Sequence, residues 1–136
     1  MNYMNREIWY NGVTHRIIKC AIDVHREFGP GLMESVYQVC LKQELISDGL
    51  LVKSQVVVPV IYKGEVLDKE FIIDLLVEDE IIVELKSLED ILPVHEAQLL
   101  TYLKLANKKL GLLINFNVVL LKDGVRRRIN GKLNAI

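Results

Sequence analysis

Apolar positions along this chain follow two different periods, and the switches between them mark its elements. Between residues 14 and 28, Ile17, Ile18, Ala21, Ile22 and Val24 recur at near-helical spacing, with Lys19, Asp23 and Arg26 outward. Thr14 stands where an N-cap would. Gly29-Pro30-Gly31 breaks this helix. A second helix is expected over about 32–47, with an apolar stripe of Leu32, Val36, Tyr37, Val39 and Cys40, ended by Asp48-Gly49. The period then shortens. Residues 52–62, 66–77 and 81–87 read as strands rich in Val and Ile. Pro59 has no N–H to donate, which predicts an edge strand or a bulge for the first of them. Pro93 suits the first turn of a third helix over about 93–106. Residues 110–116 read as an apolar strand of the kind buried on both faces. Residues 118–121, the turn Lys122-Asp123-Gly124 and residues 125–129 would form a last short pairing.

The order α-α-β-β-β-α-β-β predicts an α/β (α+β) domain with a mixed sheet and helices packed against it. The connection from residues 81–87 through the third helix to 110–116 is long enough for a right-handed parallel crossover. One domain is the default for 136 residues.

The second and third strands carry polar residues that this pattern does not ask for. A hairpin symmetric about Asp79 pairs Val77 with Ile81, Leu75 with Val83 and Ile73 with Leu85, an apolar face. Its other face pairs Leu76 with Ile82, Asp74 with Glu84 and Ile72 with Lys86. Like charges directly opposed in a sheet are destabilising. A divalent cation between the two carboxylates is the simplest reason for them, since hard cations take oxygen ligands. A two-residue turn would instead put Asp74 and Glu84 on opposite faces. In the third helix Gln98 and Tyr102 lie four apart and share a face, with His95 one turn earlier. Glu34 and Tyr37 lie three apart just after the Gly29-Pro30-Gly31 break. Taken singly, each group has an ordinary reading: a solvated hairpin face, an amphipathic helix, an acid favouring a helix N-terminus.

Composition narrows the classes. Half of the chain is hydrophobic (51%), which supports a real core, and the formal net charge is -1. That charge speaks against a nucleic-acid coat protein but leaves room for an enzyme with a local site. Cys20 and Cys40 lack metal-type spacing and read as small apolar residues in a reducing compartment. No signal peptide or membrane-length apolar run is visible, so a cytoplasmic location is expected. His15, His25 and His95 have no zinc-hydrolase spacing. There is no P-loop and no GxSxG elbow.

Together the polar groups resemble a known family. Gly31-Leu32-Met33-Glu34-Ser35-Val36-Tyr37 is similar to the GxxExxY signature that names a family of small bacterial and archaeal proteins. The similarity continues through Asp74-Leu75-Leu76-Val77, Val83-Glu84-Leu85-Lys86, the segment from Pro93 to Leu103, and Gly111 to Phe116. It spans about 14–128. This family resembles a compact branch of the PD-(D/E)XK nucleases, so the resemblance implies a restriction-endonuclease-like core. It implies Asp74 as the first acid and Glu84-x-Lys86 as the (D/E)XK element, with Ile73 where the motif's nominal proline would stand. Glu34 corresponds to a helical acid that completes a metal site, and Gln98 and Tyr102 to a QxxxY element.

On that footing, Asp74 and Glu84 would bind Mg²⁺ or Mn²⁺, with Glu34 and the Leu85 carbonyl as further oxygen donors. Lys86 would act on the attacking water or the developing charge. Tyr37, Gln98, Tyr102 and the run Arg126-Arg127-Arg128 would contact the substrate, DNA or RNA. Two other readings stay open. One is a non-catalytic nuclease-like binding or regulatory module. The other is a homodimerising subunit that associates through the first helix or the edge residues 56–62.

Overall fold

The computed structural model describes residues 6–134. Helices α1 (Arg6–Phe28) and α2 (Glu34–Ser47) precede strands β1 (Val52–Tyr62), β2 (Glu65–Val77) and β3 (Ile81–Lys86). Helix α3 (Pro93–Ala106), β4 (Leu110–Asn115) and β5 (Val125–Ile129) follow, the expected order. The five strands lie in chain order in one sheet. β3 and β4 are parallel and all other neighbours antiparallel. α1 and α2 cover one face over a core that includes Tyr10, Ile17, Tyr37, Leu41, Leu75 and Val83. α3 covers the other, where Leu99 and Leu103 meet Ile73, Leu76, Ile82 and Leu113. Among the described residues no helix is long and apolar enough to cross a membrane.

The first helix extends beyond the expected Thr14 start because its inner stripe continues through Val13 to Tyr10, both buried. Thr14 is buried inside it, with its hydroxyl unpartnered, and is no cap. Gly29 (φ 67) and Gly31 (φ 105) take left-handed backbone that a side chain would strain, and the Gly29 N–H closes α1 on the His25 carbonyl at 2.7 Å. In α2 the expected stripe is corrected at Val36 and Val39, whereas Tyr37 is buried and Leu32 and Cys40 pack against the core. The buried residues are Tyr37, Leu41 and Leu45, four apart, whereas Val36 and Val39 are 38% and 66% exposed. Both stripes are helical in period, and only packing selects between them.

β1 is an edge strand, and its ladder shifts between Pro59 and Ile61, as the proline requires. The tip of the β1–β2 hairpin, residues 61–70, is exposed throughout. The β2–β3 register is the one symmetric about Asp79: Val77 opposes Ile81, Leu76 opposes Ile82 and Leu75 opposes Val83. Glu78 and Asp79 turn the chain in left-handed conformation (φ 54 and 57). Leu51 holds that turn, giving its N–H to the Glu78 carboxylate at 2.6 Å and accepting the Glu78 N–H at 2.8 Å.

Two expectations fail here. Ile73 does not share the face of Leu75; it packs under α3, and Leu75 under α1 and α2. The change of face coincides with Gln55, which is left-handed (φ 53) and lies across from Asp74. Nor do residues 118–121 form a strand. Residues 117–120 bend, Leu121–Gly124 is a 3-10 turn, and β5 pairs with β4. Gly124 makes this turn possible, because a Cβ there would collide with the Asn115 carbonyl. Gly111 does the same for α3: a Cβ would lie 2.8 Å from Leu99.

Candidate active site

The β2–β3 ladder stops at Leu75 and Val83, one step before the two acids. Beyond it, carboxylates take the place of backbone acceptors. The Leu85 N–H donates to Asp74 Oδ2 at 2.9 Å, and the Asp74 N–H donates to Glu84 Oε1 at 3.3 Å. Each acid is thus fixed through one oxygen by the other's strand. Glu84 is 5% exposed, in a strand with Ile82 before it and Leu113 beside it. Burial, and then the Asp74 charge and hydrogen bond, push its carboxyl up to about 9. Lys86, on the same side of β3, works in the opposite direction. An acid pair of this kind shares a proton unless a cation takes its place.

α3 brings the next groups. Tyr102 stacks on Phe71 of β2, rings 4.2 Å apart and 19° from parallel. Burial raises its hydroxyl pKa, and the Glu84 and Asp74 charges raise it further, which puts the phenol within electrostatic reach of both acids. Gln98 is exposed one turn earlier. His95 is engaged as a cap, its Nδ1 accepting the Leu92 N–H at 2.8 Å.

The remaining expected residues divide. Glu34 is exposed and its carboxylate accepts the Ser87 N–H at 3.3 Å, just past the end of β3. Among the described residues no three His, Cys, Asp or Glu side chains stand together as a metal-holding group, so Glu34 is not grouped with the pair. Tyr37 is fully buried and stacked on Phe116 at 4.4 Å. Its hydroxyl donates to the Gly29 carbonyl at 2.6 Å and accepts the Leu32 N–H at 3.1 Å. Tyr37 therefore shapes the glycine-rich turn. Ser87 completes the link, its hydroxyl donating to the Leu32 carbonyl at 2.8 Å.

Alternation along β5 splits the arginine run. Arg126 lies opposite Leu113, which itself neighbours Glu84, so Arg126 shares a row with the acid two strands away, roughly 10 Å on strand spacing. Its guanidinium donates to the Asp123 and Val125 carbonyls, each at 3.0 Å. Arg128 pairs with Glu96 of α3. Arg127 turns to the other face, where it donates to Asn11 of α1 at 2.6 Å. The three do not make one patch.

Asn115 was not among the expected site residues. It is 2% exposed next to Lys86 in the β3–β4 register. Its side chain accepts the Leu88 N–H at 2.9 Å and donates to the Leu88 carbonyl at 3.0 Å. It thereby fixes the loop leaving β3. A lone amide in an otherwise apolar strand was the available signal.

Asp74, Glu84, Lys86 and Tyr102 thus converge near the carboxyl end of β3, on the α3 face of the sheet. Neither the curated proteins nor the solved structures yield a match. Residues 11–128 match the family model described as the PD-(D/E)XK nuclease superfamily, a length that runs from within α1 into β5. A match of that extent, on a mixed sheet with helices on both faces in the expected order, makes this chain a member of the PD-(D/E)XK nuclease superfamily.

Proposed function

We propose that the protein hydrolyses phosphodiester bonds of nucleic acid with the help of Mg²⁺ or Mn²⁺. The observation that carries this reading is the acid pair, Glu84 buried and Asp74 half-buried. Two strands hold Asp74 and Glu84 against one another, although their mutual repulsion helps to push Glu84 up to about 9. Each carboxylate has one oxygen bonded to backbone and a second to offer. An all-oxygen donor set of this kind fits a hard divalent cation. Asp74 and Glu84 would hold it, with the Leu85 carbonyl as a further donor and Glu34 acting from the Ser87 side through water. The bound cation would supply positive charge to the phosphoryl group and lower the pKa of a water.

The chain's own groups have separable tasks. Lys86, beside Glu84, orients the attacking water or offsets negative charge as it develops. Tyr102, held by Phe71, and Gln98 position the substrate backbone. Arg126, in the same row as Glu84, is placed to meet a neighbouring phosphate.

Mn²⁺ calorimetry on wild type beside Glu84→Gln tests the metal site without a choice of substrate. Binding in the wild type alone is expected. Hydrolysis of mixed DNA and RNA substrates should then drop at least about a hundredfold in Glu84→Gln and in Lys86→Ala, with the fold retained. Full activity in either variant would remove the assigned site. A second reading is favoured by Glu34, whose carboxylate is committed to Ser87: the fold serves as a nuclease-like binding module. Wild-type protein that binds nucleic acid but neither Mn²⁺ nor Mg²⁺ would select it.

A further inference from the structure

Glu34 and Tyr37 converge on one peptide unit, the one that joins Lys86, the last residue of β3, to Ser87. Its carbonyl accepts the Phe116 N–H at 2.9 Å, and its N–H donates to the Glu34 carboxylate at 3.3 Å. The unit is therefore held at both ends. Tyr37 reaches it by two routes. Its ring stacks on Phe116, 4.4 Å between centroids and 11° from parallel. Its hydroxyl accepts the Leu32 N–H at 3.1 Å, and the Leu32 carbonyl in turn accepts the Ser87 hydroxyl at 2.8 Å. The Tyr37 hydroxyl is itself anchored, donating to the Gly29 carbonyl at 2.6 Å.

This end of β3 needs such a hold. The ladder with β2 stops at Val83, three residues before Lys86. The Asp74 carboxylate then takes the Leu85 N–H. Lys86 pairs with Asn115 of β4, on the side away from β2. A clamp on the peptide that follows Lys86 fixes the backbone rotation about its Cα. A long side chain amplifies any rotation there, and reacting groups tolerate little misplacement.

We propose that Tyr37 is a positioning residue for Lys86. Through Phe116 and through Leu32 and Ser87, it sets the direction from which the ammonium approaches the acid pair. Tyr37 does not meet a substrate itself: it is wholly buried, and both of its hydroxyl bonds go to backbone. The proposal rests on the hydrolytic role given to Lys86 above.

Tyr37→Phe keeps the stacked ring and removes the hydroxyl alone. Steady-state hydrolysis and backbone amide exchange test the proposal, on protein shown to be folded by circular dichroism. In Tyr37→Phe, kcat should fall about tenfold, with KM and Mn²⁺ affinity within about threefold of wild type. Ser87→Ala should behave alike, and Ser87→Thr, which keeps a hydroxyl, should stay near wild type. In the Lys86→Ala background Tyr37→Phe should cause no further fall, because the group it places is gone. Exchange at the Phe116 and Ser87 amides should quicken by about tenfold or more in Tyr37→Phe, with the Leu85 amide unchanged. Equal falls on the wild-type and Lys86→Ala backgrounds overturn the proposal, since Tyr37 would then support the fold at large. Unchanged exchange at Phe116 and Ser87 overturns it as well. A wild type without hydrolysis overturns the reading beneath it, whereas an active wild type whose kcat is untouched by Tyr37→Phe overturns the proposal alone.

Discussion

Glu84 shows how one residue ties stability to the site. Its carboxyl lies at about 9 in the fold against 4.5 when free, chiefly through burial and then through Asp74. The folded protein therefore holds a proton that the unfolded chain releases. The linked stabilisation is complete below about 4.5 and is lost as pH rises toward 9. Wild-type Tm should fall across that window, and Glu84→Gln should flatten the slope; a parallel pair of Tm curves would show that Glu84 does not titrate as described. Mn²⁺ should raise Tm more at alkaline than at acid pH, because binding needs the deprotonated acid. Asn115 is a second case. Asn115→Leu leaves the Leu88 N–H and the Asn117 N–H without their partner, while the Leu88 carbonyl keeps the Asn117 side-chain amide at 3.3 Å, so the cost is roughly 1–3 kcal/mol per group left unsatisfied. Urea denaturation gives that cost, and a change within error would mean that water replaces the amide.

Elements meet closely at two glycines. Gly111→Ala would drive a methyl group into Leu99 of α3, 2.8 Å away, with Leu103 at 3.3 Å. These are side-chain atoms that can shift, so a loss of about 1–3 kcal/mol is expected. Gly124→Ala would meet the backbone carbonyl of Asn115, which cannot shift without moving β4, and should cost more than Gly111→Ala. Equal denaturation midpoints for the two variants would contradict this ranking. The third contact is aromatic. Phe71→Ala removes the ring that holds Tyr102, so hydrolysis should fall while Mn²⁺ affinity at Asp74 and Glu84 stays within about threefold of wild type. A parallel loss of metal binding would make Phe71 a general support of β2.

The whole molecule divides its labour between two faces of one sheet. α1 and α2 build the larger core, and Tyr37, Glu34 and Ser87 tie the glycine-rich turn to the end of β3. α3 alone lies on the acid face, leaving the ground beside Glu84 to Lys86, Tyr102 and Asn115.

Much of this was legible from residue order, because local periodicity reports local geometry. The helix and strand pattern, the Asp79-centred register and the Pro59 edge all followed from rules acting within a few residues. The ladder stops at Leu75 and Val83, so Asp74 and Glu84 meet through side-chain bonds to each other's strand and not as a ladder pair. Tertiary structure decided what depends on neighbours distant in sequence. α2 presents two helical stripes, and only the position of the sheet determines that Tyr37, Leu41 and Leu45 face inward. Ile73 changed sides across from Gln55, whose left-handed backbone its side chain does not announce. Glu34 and Tyr37 lie three apart after the Gly29-Pro30-Gly31 break, but packing assigns Tyr37 to the turn and Glu34 to Ser87. The arginine run divided because β5 pairs with β4, and alternation sends Arg127 to the face opposite Arg126 and Arg128. Short-range periodicity cannot encode such choices; they arise where separate elements compete to bury the same surface.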